Sequence, residues 1–280
     1  MWKEQILGGQ VDLFVASAGH SASPVLLVVH GGPDWDHSYL REPLAQLART
    51  HHLLLPDLRG CGRSARGLPV TAYHPDAVVA DLLAVLDAYR ADAADVLGFS
   101  YGALLAQRLA VAAPHRVRRL ILASSSVIPV PADAFTHWPL RAQRRARELA
   151  VWSDPTLSGP QRVREAAFAA ASMNIWRPGA LPEYLNRLAA IRFSAEWDRA
   201  RNTGCLPSAR IEDPVRRLSE TGIPILLLHG RQDMIFPAAL AEQAAALIAN
   251  ADAAILDEAG HMTHIDDPRR WLSMIEQYLG

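Results

Sequence analysis

Short apolar runs bounded by turn residues recur along the chain, and their spacing predicts the architecture. Runs at 24–29, 52–56, 96–99, 117–123, 223–230 and 253–256 are dominated by Val, Leu, Ile and Ala, Arg118-Arg119 excepted. Continuous apolar runs of this length read as strands buried on both faces, as in a parallel sheet. Between them the period changes. Segment 75–89 sets Val78, Val79, Leu82, Leu83, Val85 and Leu86 at helical spacing, which predicts a helix with one buried face. Further helices are predicted near 37–50 and at 103–110. Strands alternating with helices make an α/β fold, a parallel sheet with helices on both faces.

From about 124 to 221 this rhythm stops. Helical patterns and prolines continue, but no strand of the same quality does, and four of the seven tryptophans fall here: Trp138, Trp152, Trp176 and Trp197. The pattern predicts a body made of 1–125 and 220–280 with a helical cap, 126–219, inserted between the sixth and seventh main strands. Such a cap lies over the ligand-facing edge of the sheet, so the four tryptophans are candidates to line an acyl or ring pocket. For each one, packing the cap onto the body is the alternative.

The run 96–99 leads into Gly98-Phe99-Ser100-Tyr101-Gly102 and then a helical pattern. Strand, sharp turn and helix around Gly-x-Ser-x-Gly is the setting of a nucleophile elbow, which exposes the serine oxygen above the sheet. An ordinary strand-to-helix turn is the competing interpretation. An alcohol is a weak nucleophile near neutral pH, so Ser100 needs a base, and the base needs an orienting carboxylate. Asp233 stands just past the apolar run 223–230, where an open α/β sheet presents its ligand-binding edge; a turn aspartate capping the next helix is its alternative role. The position after 117–123 is supplied with no acid before Asp133. His261 follows Gly260 beyond the last strand and is the candidate base, with His264 as rival. The chain order Ser100, Asp233, His261 is the one an elbow of this kind requires. For the oxyanion, backbone N–H donors are expected from Tyr101 and from Gly32, after the strand 24–29. His30 is expected to brace that loop by hydrogen bonds.

Length and composition narrow the picture further. With 280 residues, half of them hydrophobic, the chain is one large domain or one domain with an insertion. A formal net charge of −1 argues against a general nucleic-acid or membrane-surface role. Cys61 and Cys205 are too few for a disulfide scaffold, and no cysteine–histidine cluster suggests a metal or other cofactor. The polar start and the lack of a long apolar run favour a soluble, cytoplasmic protein. Arg141, Arg144, Arg145 and Arg147 fall on one side of a cap helix. They read as a solvated face or, more sharply, as a docking patch for an anionic partner such as a carrier protein or a phosphate-bearing thioester.

His30-Gly31-Gly32-Pro33, Asp57-Leu58-Arg59-Gly60-Cys61-Gly62-Arg63-Ser64 and Gly98-Phe99-Ser100-Tyr101-Gly102 together resemble the α/β-hydrolase superfamily, in particular the proline iminopeptidases and their relatives. The resemblance covers almost the whole chain except the cap. It implies a mostly parallel eight-stranded sheet, Ser100 as nucleophile, Asp233 as acid, His261 as base, and Gly32 and Tyr101 as oxyanion donors. It implies that loop 57–64 shapes the active-site floor rather than performing chemistry. The chain departs from the iminopeptidase pattern at Asp34, where a further glycine is usual, and at Tyr101, where tryptophan is usual. Iminopeptidases hold the substrate amine with acids; Glu165, Glu183, Glu196 and Glu212 are the cap candidates. The expected substrate is a small hydrophobic ester, lactone or thioester, cleaved through an acyl-enzyme. An aminopeptidase, a non-hydrolytic lyase or cyclase, and a small-molecule receptor are the alternatives. Epoxide hydrolases and dehalogenases use aspartate where Ser100 stands.

Overall fold

The computed structural model describes residues 1–280. Eight strands form a single sheet: β1 (Lys3–Leu7), β2 (Leu13–Ala18), β3 (Val25–Val29), β4 (His52–Pro56), β5 (Ala94–Phe99), β6 (Val117–Ala123), β7 (Ile225–Gly230) and β8 (Ala251–Leu256). Their order across the sheet is β1-β2-β4-β3-β5-β6-β7-β8. The first two pairings, β1 with β2 and β2 with β4, are antiparallel; all the others are parallel. This is the α/β-hydrolase fold expected from the sequence.

Five of the six apolar runs become central strands because both of their faces are covered; the sixth, 253–256, is instead edge strand β8, with Ala253 exposed and Ala254 and Ile255 half-buried, because no further strand pairs beyond it. Leu27, Val29, Leu54 and Val96 join one apolar core, while their neighbours Leu26, Val28, Leu53, Leu55 and Leu97 join the other. Side chains alternate across a strand, so one run serves both layers. Truncating a leucine such as Leu97 to alanine in this setting costs about 2–5 kcal/mol. Edge strand β1 is polar and exposed, which blunts pairing with other chains.

The helix Pro75–Ala88 buries Val78, Val79, Leu82, Val85 and Leu86, the face read from the sequence. Segment 37–50 is not the single helix expected. It is three short helical pieces, with Glu42 extended at φ −107° and ψ 132°. Pro43 explains the break, because the residue before a proline is driven from the helical region.

Between β6 and β7 lie the helices Pro139–Trp152, Gly159–Ala169, Leu181–Ala190, Glu196–Asn202 and Pro214–Thr221. They differ in how they are held. Pro139–Trp152 has no buried residue. Pro214–Thr221 packs on the helix Tyr101–Ala112 and sinks Leu218 into the body's core. No helix is long and apolar enough to cross a membrane.

Candidate active site

Ser100 occupies the turn between β5 and the helix Tyr101–Ala112, with φ 54° and ψ −119°. Few residues other than glycine tolerate this conformation. Its backbone N–H is tied to the Ala123 carbonyl at 2.8 Å. The two flanking glycines make the turn possible. A Cβ at Gly98 would lie 2.5 Å from Ala103 Cα, and one at Gly102 would collide with the Val29 carbonyl.

His261 approaches from the loop after β8 and Asp233 from the loop after β7. Asp233 Oδ2 lies 2.9 Å from His261 Nδ1, and His261 Nε2 lies 3.1 Å from Ser100 Oγ. An ionised carboxylate only accepts, so His261 Nδ1–H donates to it and leaves Nε2 bare to accept the Ser100 hydroxyl. The other oxygen, Asp233 Oδ1, accepts the N–H groups of Ile235 at 2.7 Å and Phe236 at 3.0 Å. His229 Nε2, which donates to the Phe236 carbonyl at 2.8 Å, stands 3.2 Å from Asp233 Oδ2. Burial alone would push the Asp233 carboxyl up. The His261 and His229 imidazoles outweigh it and hold the group well below the usual carboxylate range.

His264, the rival base, points elsewhere. It is fully buried among the rings of Tyr39, Phe99 and Trp271. Burial, then the nearby Arg187, pushes its pKa well below the ordinary histidine value. Asp133, the rival acid, lies in an exposed turn.

The backbone N–H groups of Gly32 and of Tyr101, the residue after Ser100, have no protein hydrogen-bond partner. Gly32 belongs to a braced loop. Gly31 N–H donates to the Tyr39 hydroxyl at 2.9 Å, and a Cβ at Gly31 would lie 2.5 Å from the Phe99 carbonyl oxygen. His30 Nε2 accepts from Leu58 N–H at 3.0 Å, so its Nδ1–H donates to the Gly31 carbonyl, also at 3.0 Å. Asp57, at the head of loop 57–64, is buried and accepts from His37 Nδ1 at 2.6 Å and from Arg63 N–H at 2.8 Å. The Leu58 N–H ties that loop to the His30-Gly31 turn.

A cavity of about 330 Å³ opens over Ser100 and His261. Val163, Ala166, Ala167, Ala170 and Met173 from the cap form one wall, and Trp35, Tyr39 and Phe99 face them. Of the four cap tryptophans proposed as lining, Trp152 does line it. The other three lie outside. Trp197 is buried against Tyr73 and Tyr101 and donates from its indole nitrogen to the Arg59 carbonyl at 2.8 Å. Trp138 and Trp176 pack around Met173 and Met234. Trp35 was not among the sequence candidates. Its position beside the Gly-Gly-Pro turn was the available signal.

The cap acids proposed for an amine site are spent elsewhere. Glu196 takes the Tyr73 hydroxyl at 2.6 Å and Arg199 at 2.9 Å; Glu165 pairs with Arg164 and Glu183 with Arg187. Glu212 is exposed and away from the cavity. Glu148 is the one cap glutamate in the lining, and Arg145 and the Trp152 indole already hold its carboxylate. Arg141 donates to the Met234 carbonyl at 2.9 Å, and Arg144 to that of Ile175 at 3.4 Å. No group of three or more His, Cys, Asp or Glu side chains converges to hold a metal ion.

A family model for the alpha/beta hydrolase fold matches residues 24–268. The chain is 30% identical over 267 residues to 2-hydroxymuconate semialdehyde hydrolase of Pseudomonas sp. strain CF600, spanning 91% of this chain and 86% of that one. It is 24% identical over 287 residues to proline iminopeptidase of Heyndrickxia coagulans, spanning 98% and 96%. Among solved structures, 2-hydroxy-6-oxo-6-phenylhexa-2,4-dienoate hydrolase from Rhodococcus sp. strain RHA1 superposes with a TM-score of 0.80 at 21% identity, over 100% of this chain and 99% of that one. The chain belongs to the α/β-hydrolase family and is a hydrolase of that family.

Proposed function

We propose that the protein is a serine hydrolase that cleaves a small, mainly apolar ester, lactone or thioester through an acyl-enzyme. One observation carries this reading: the continuous hydrogen-bonded line Asp233–His261–Ser100, which ends at a cavity lined by Ser100, His261 and Gly32. Ser100 Oγ attacks the substrate carbonyl while His261 Nε2 takes its proton. Asp233 holds the ring in the tautomer that makes this possible and stabilises the imidazolium. The charge that develops on the carbonyl oxygen is met by the N–H groups of Gly32 and Tyr101; losing one such donor typically costs about 10²–10³ in kcat. His261 then returns its proton to the leaving group. A water molecule activated by the same nitrogen releases the acid and restores Ser100.

The cavity argues for the substrate class. Its size suits a short acyl chain or a single ring, and most of its lining is apolar, with Val163, Ala166, Ala167, Ala170 and Met173 contributed by the cap. An aminopeptidase needs a fixed carboxylate free to meet an ammonium group. The one cap glutamate in the lining is already paired with Arg145, so that reading has little support.

A second reading rests on Arg201. This residue lines the cavity and forms no ion pair, so a substrate carrying its own carboxylate would find a partner there. The similarity to hydrolases named for 2-hydroxymuconate semialdehyde and 2-hydroxy-6-oxo-2,4-heptadienoate fits that reading. A thioester brought by an acidic carrier protein would meet the arginine-bearing helix Pro139–Trp152, which supplies Arg145 and Trp152 to the lining.

The deciding experiment is labelling with a fluorophosphonate probe, followed by specificity constants on matched neutral and carboxylate-bearing p-nitrophenyl esters, a lactone and a proline anilide. Labelling of Ser100 with preference for the neutral ester supports the first reading. Preference for the acidic ester, lost in Arg201→Ala, promotes the second. Preference for the anilide restores the aminopeptidase. Saturable binding with no labelling and no turnover points to a receptor.

A further inference from the structure

The three residues after the Gly31-Gly32-Pro33 turn join the oxyanion loop to the cap. Asp34 has a left-handed backbone, φ 78°, a region that is costly for any residue but glycine. Its carboxylate is fully buried, and every hydrogen bond it makes is to the cap. Oδ1 accepts the Ser194 hydroxyl at 2.8 Å and Trp197 N–H at 2.9 Å, and Oδ2 accepts Asp198 N–H at 2.8 Å. Its backbone carbonyl accepts Ser194 N–H at 2.8 Å. Two residues on, Asp36 Oδ2 accepts Arg192 N–H at 2.9 Å. Between the two acids, the Trp35 ring meets Phe193 edge-on at 5.7 Å and lines the catalytic cavity.

This grip has a second end. Trp35 N–H donates to the Gly32 carbonyl at 2.8 Å and closes the turn that aims the Gly32 N–H. The Trp35 ring also presses on Gly32, where a Cβ would lie 2.6 Å from it. Segment 192–198 therefore holds residues 34–36 from the cap side, and residues 34–36 hold Gly32 from the body side. A buried carboxylate with no cationic partner in contact, on a strained backbone, persists only where its surroundings over-determine it.

The geometry points to Asp34 as a positioning residue for the oxyanion hole: seating of cap segment 192–198 on Asp34 sets the direction of the Gly32 N–H, so the hole is complete only while the cap is seated. This rests on the serine-hydrolase reading above. It differs from a simple cap anchor in one respect. An anchor would shape the acyl pocket and leave untouched a substrate too small to reach the cap. A clamp on Gly32 affects every substrate, because every tetrahedral intermediate carries the same oxyanion.

The test compares p-nitrophenyl acetate with p-nitrophenyl butyrate in Asp34→Gly and Asp34→Asn. Glycine relieves the left-handed backbone and removes all three carboxylate bonds. Asparagine keeps the size and one acceptor oxygen, and turns a donor toward Asp198 N–H. In Asp34→Gly, kcat is expected to fall about tenfold or more on both esters alike, with KM changed less than about threefold. Affinity for a boronic acid that mimics the tetrahedral oxyanion should fall by the same factor as kcat/KM. Asp34→Asn should show a smaller loss with the same split. A folded Asp34→Gly with wild-type kcat on the acetate and a raised KM on the butyrate overturns the clamp and leaves an anchor. If the glycine variant does not fold, wild-type kcat on the acetate in Asp34→Asn overturns it equally. A wild-type chain inert to the fluorophosphonate probe removes the hydrolase reading and the clamp together. A labelled, active wild type with unaffected Asp34 variants removes the clamp alone.

Discussion

The loops at the carboxyl edge of the sheet and the helices that cover them are built to different standards. At the sheet edge, the side chains of Asp233 and His261 are almost wholly buried, and their polar atoms are all committed, to the Ser100–His261–Asp233 line and, at Asp233 Oδ1, to the Ile235 and Phe236 N–H groups. The backbone there leaves no freedom either: Gly31, Gly98 and Gly102 sit where any side chain would collide with neighbouring backbone. The cap is looser. Its helix Pro139–Trp152 buries nothing, exposes Leu140 and Leu149, and reaches the cavity through Arg145, Glu148 and Trp152. Groups that must meet within a few tenths of an ångström are carried by rigid strand ends. Groups that only shape the space for a substrate are carried by a layer whose contacts can be exchanged. Substitutions at the edge should therefore change rate, and substitutions in the helix Pro139–Trp152 should change substrate preference.

The sharpest test of that division is Ser100→Ala, which should abolish probe labelling and lower kcat on the order of a millionfold with the fold unchanged by circular dichroism. Labelling that persists at another serine would break the comparison at its root. Next in size are the two partners. Asp233→Asn and His261→Ala should each lower kcat by about 10³-fold or more with little change in KM, measured by steady-state kinetics on one ester. His264→Ala should cost far less activity, and the reverse ranking of the two histidines would overturn the assignment.

A smaller effect is expected in the cap. Trp152→Ala should raise KM for a butyrate or phenylacetate ester about three- to tenfold and leave kcat nearly unchanged. A loss confined to kcat would mean that the cap takes part in the chemistry.

The smallest effect is on stability alone, at His264. Folded His264 stays neutral because burial drives its pKa well below the ordinary value, whereas the unfolded chain takes up a proton near pH 6.5. The folded state therefore binds fewer protons, and its stability falls as pH drops below about 6.5, by up to about 1.4 kcal/mol per unit. His264→Phe, set among the same rings, should remove that share. The variant's denaturation midpoint should gain on the wild type's from pH 7 to pH 5. A constant difference would show that His264 is not held neutral.

Much of the catalytic edge was legible in the chain because its signals are local. A glycine two residues either side of Ser100 is a statement about backbone clearance, and the flanking apolar run and helical period say what the turn connects. Asp233 and His261 could be chosen because each follows a strand end, and parallel strands deliver their carboxyl ends to one edge. Between His261 and His264 the sequence offers only the glycine before His261, whereas burial of His264 among Tyr39, Phe99 and Trp271 separates them outright. The cap was legible only as a change of rhythm. That Trp197 is bonded to Arg59, that Glu196 is tied to Tyr73, and that Asp34 holds Ser194 and Trp197 are contacts across more than a hundred residues of chain, and the same packing puts Trp152 rather than Trp197 in the cavity lining. Backbone clearance and hydrophobic period are written residue by residue, so six of the eight strands, the elbow and the order of the site candidates can be read from the chain. The partners of polar and aromatic side chains depend on which surfaces meet when cap and body close, and they emerge with the folded molecule.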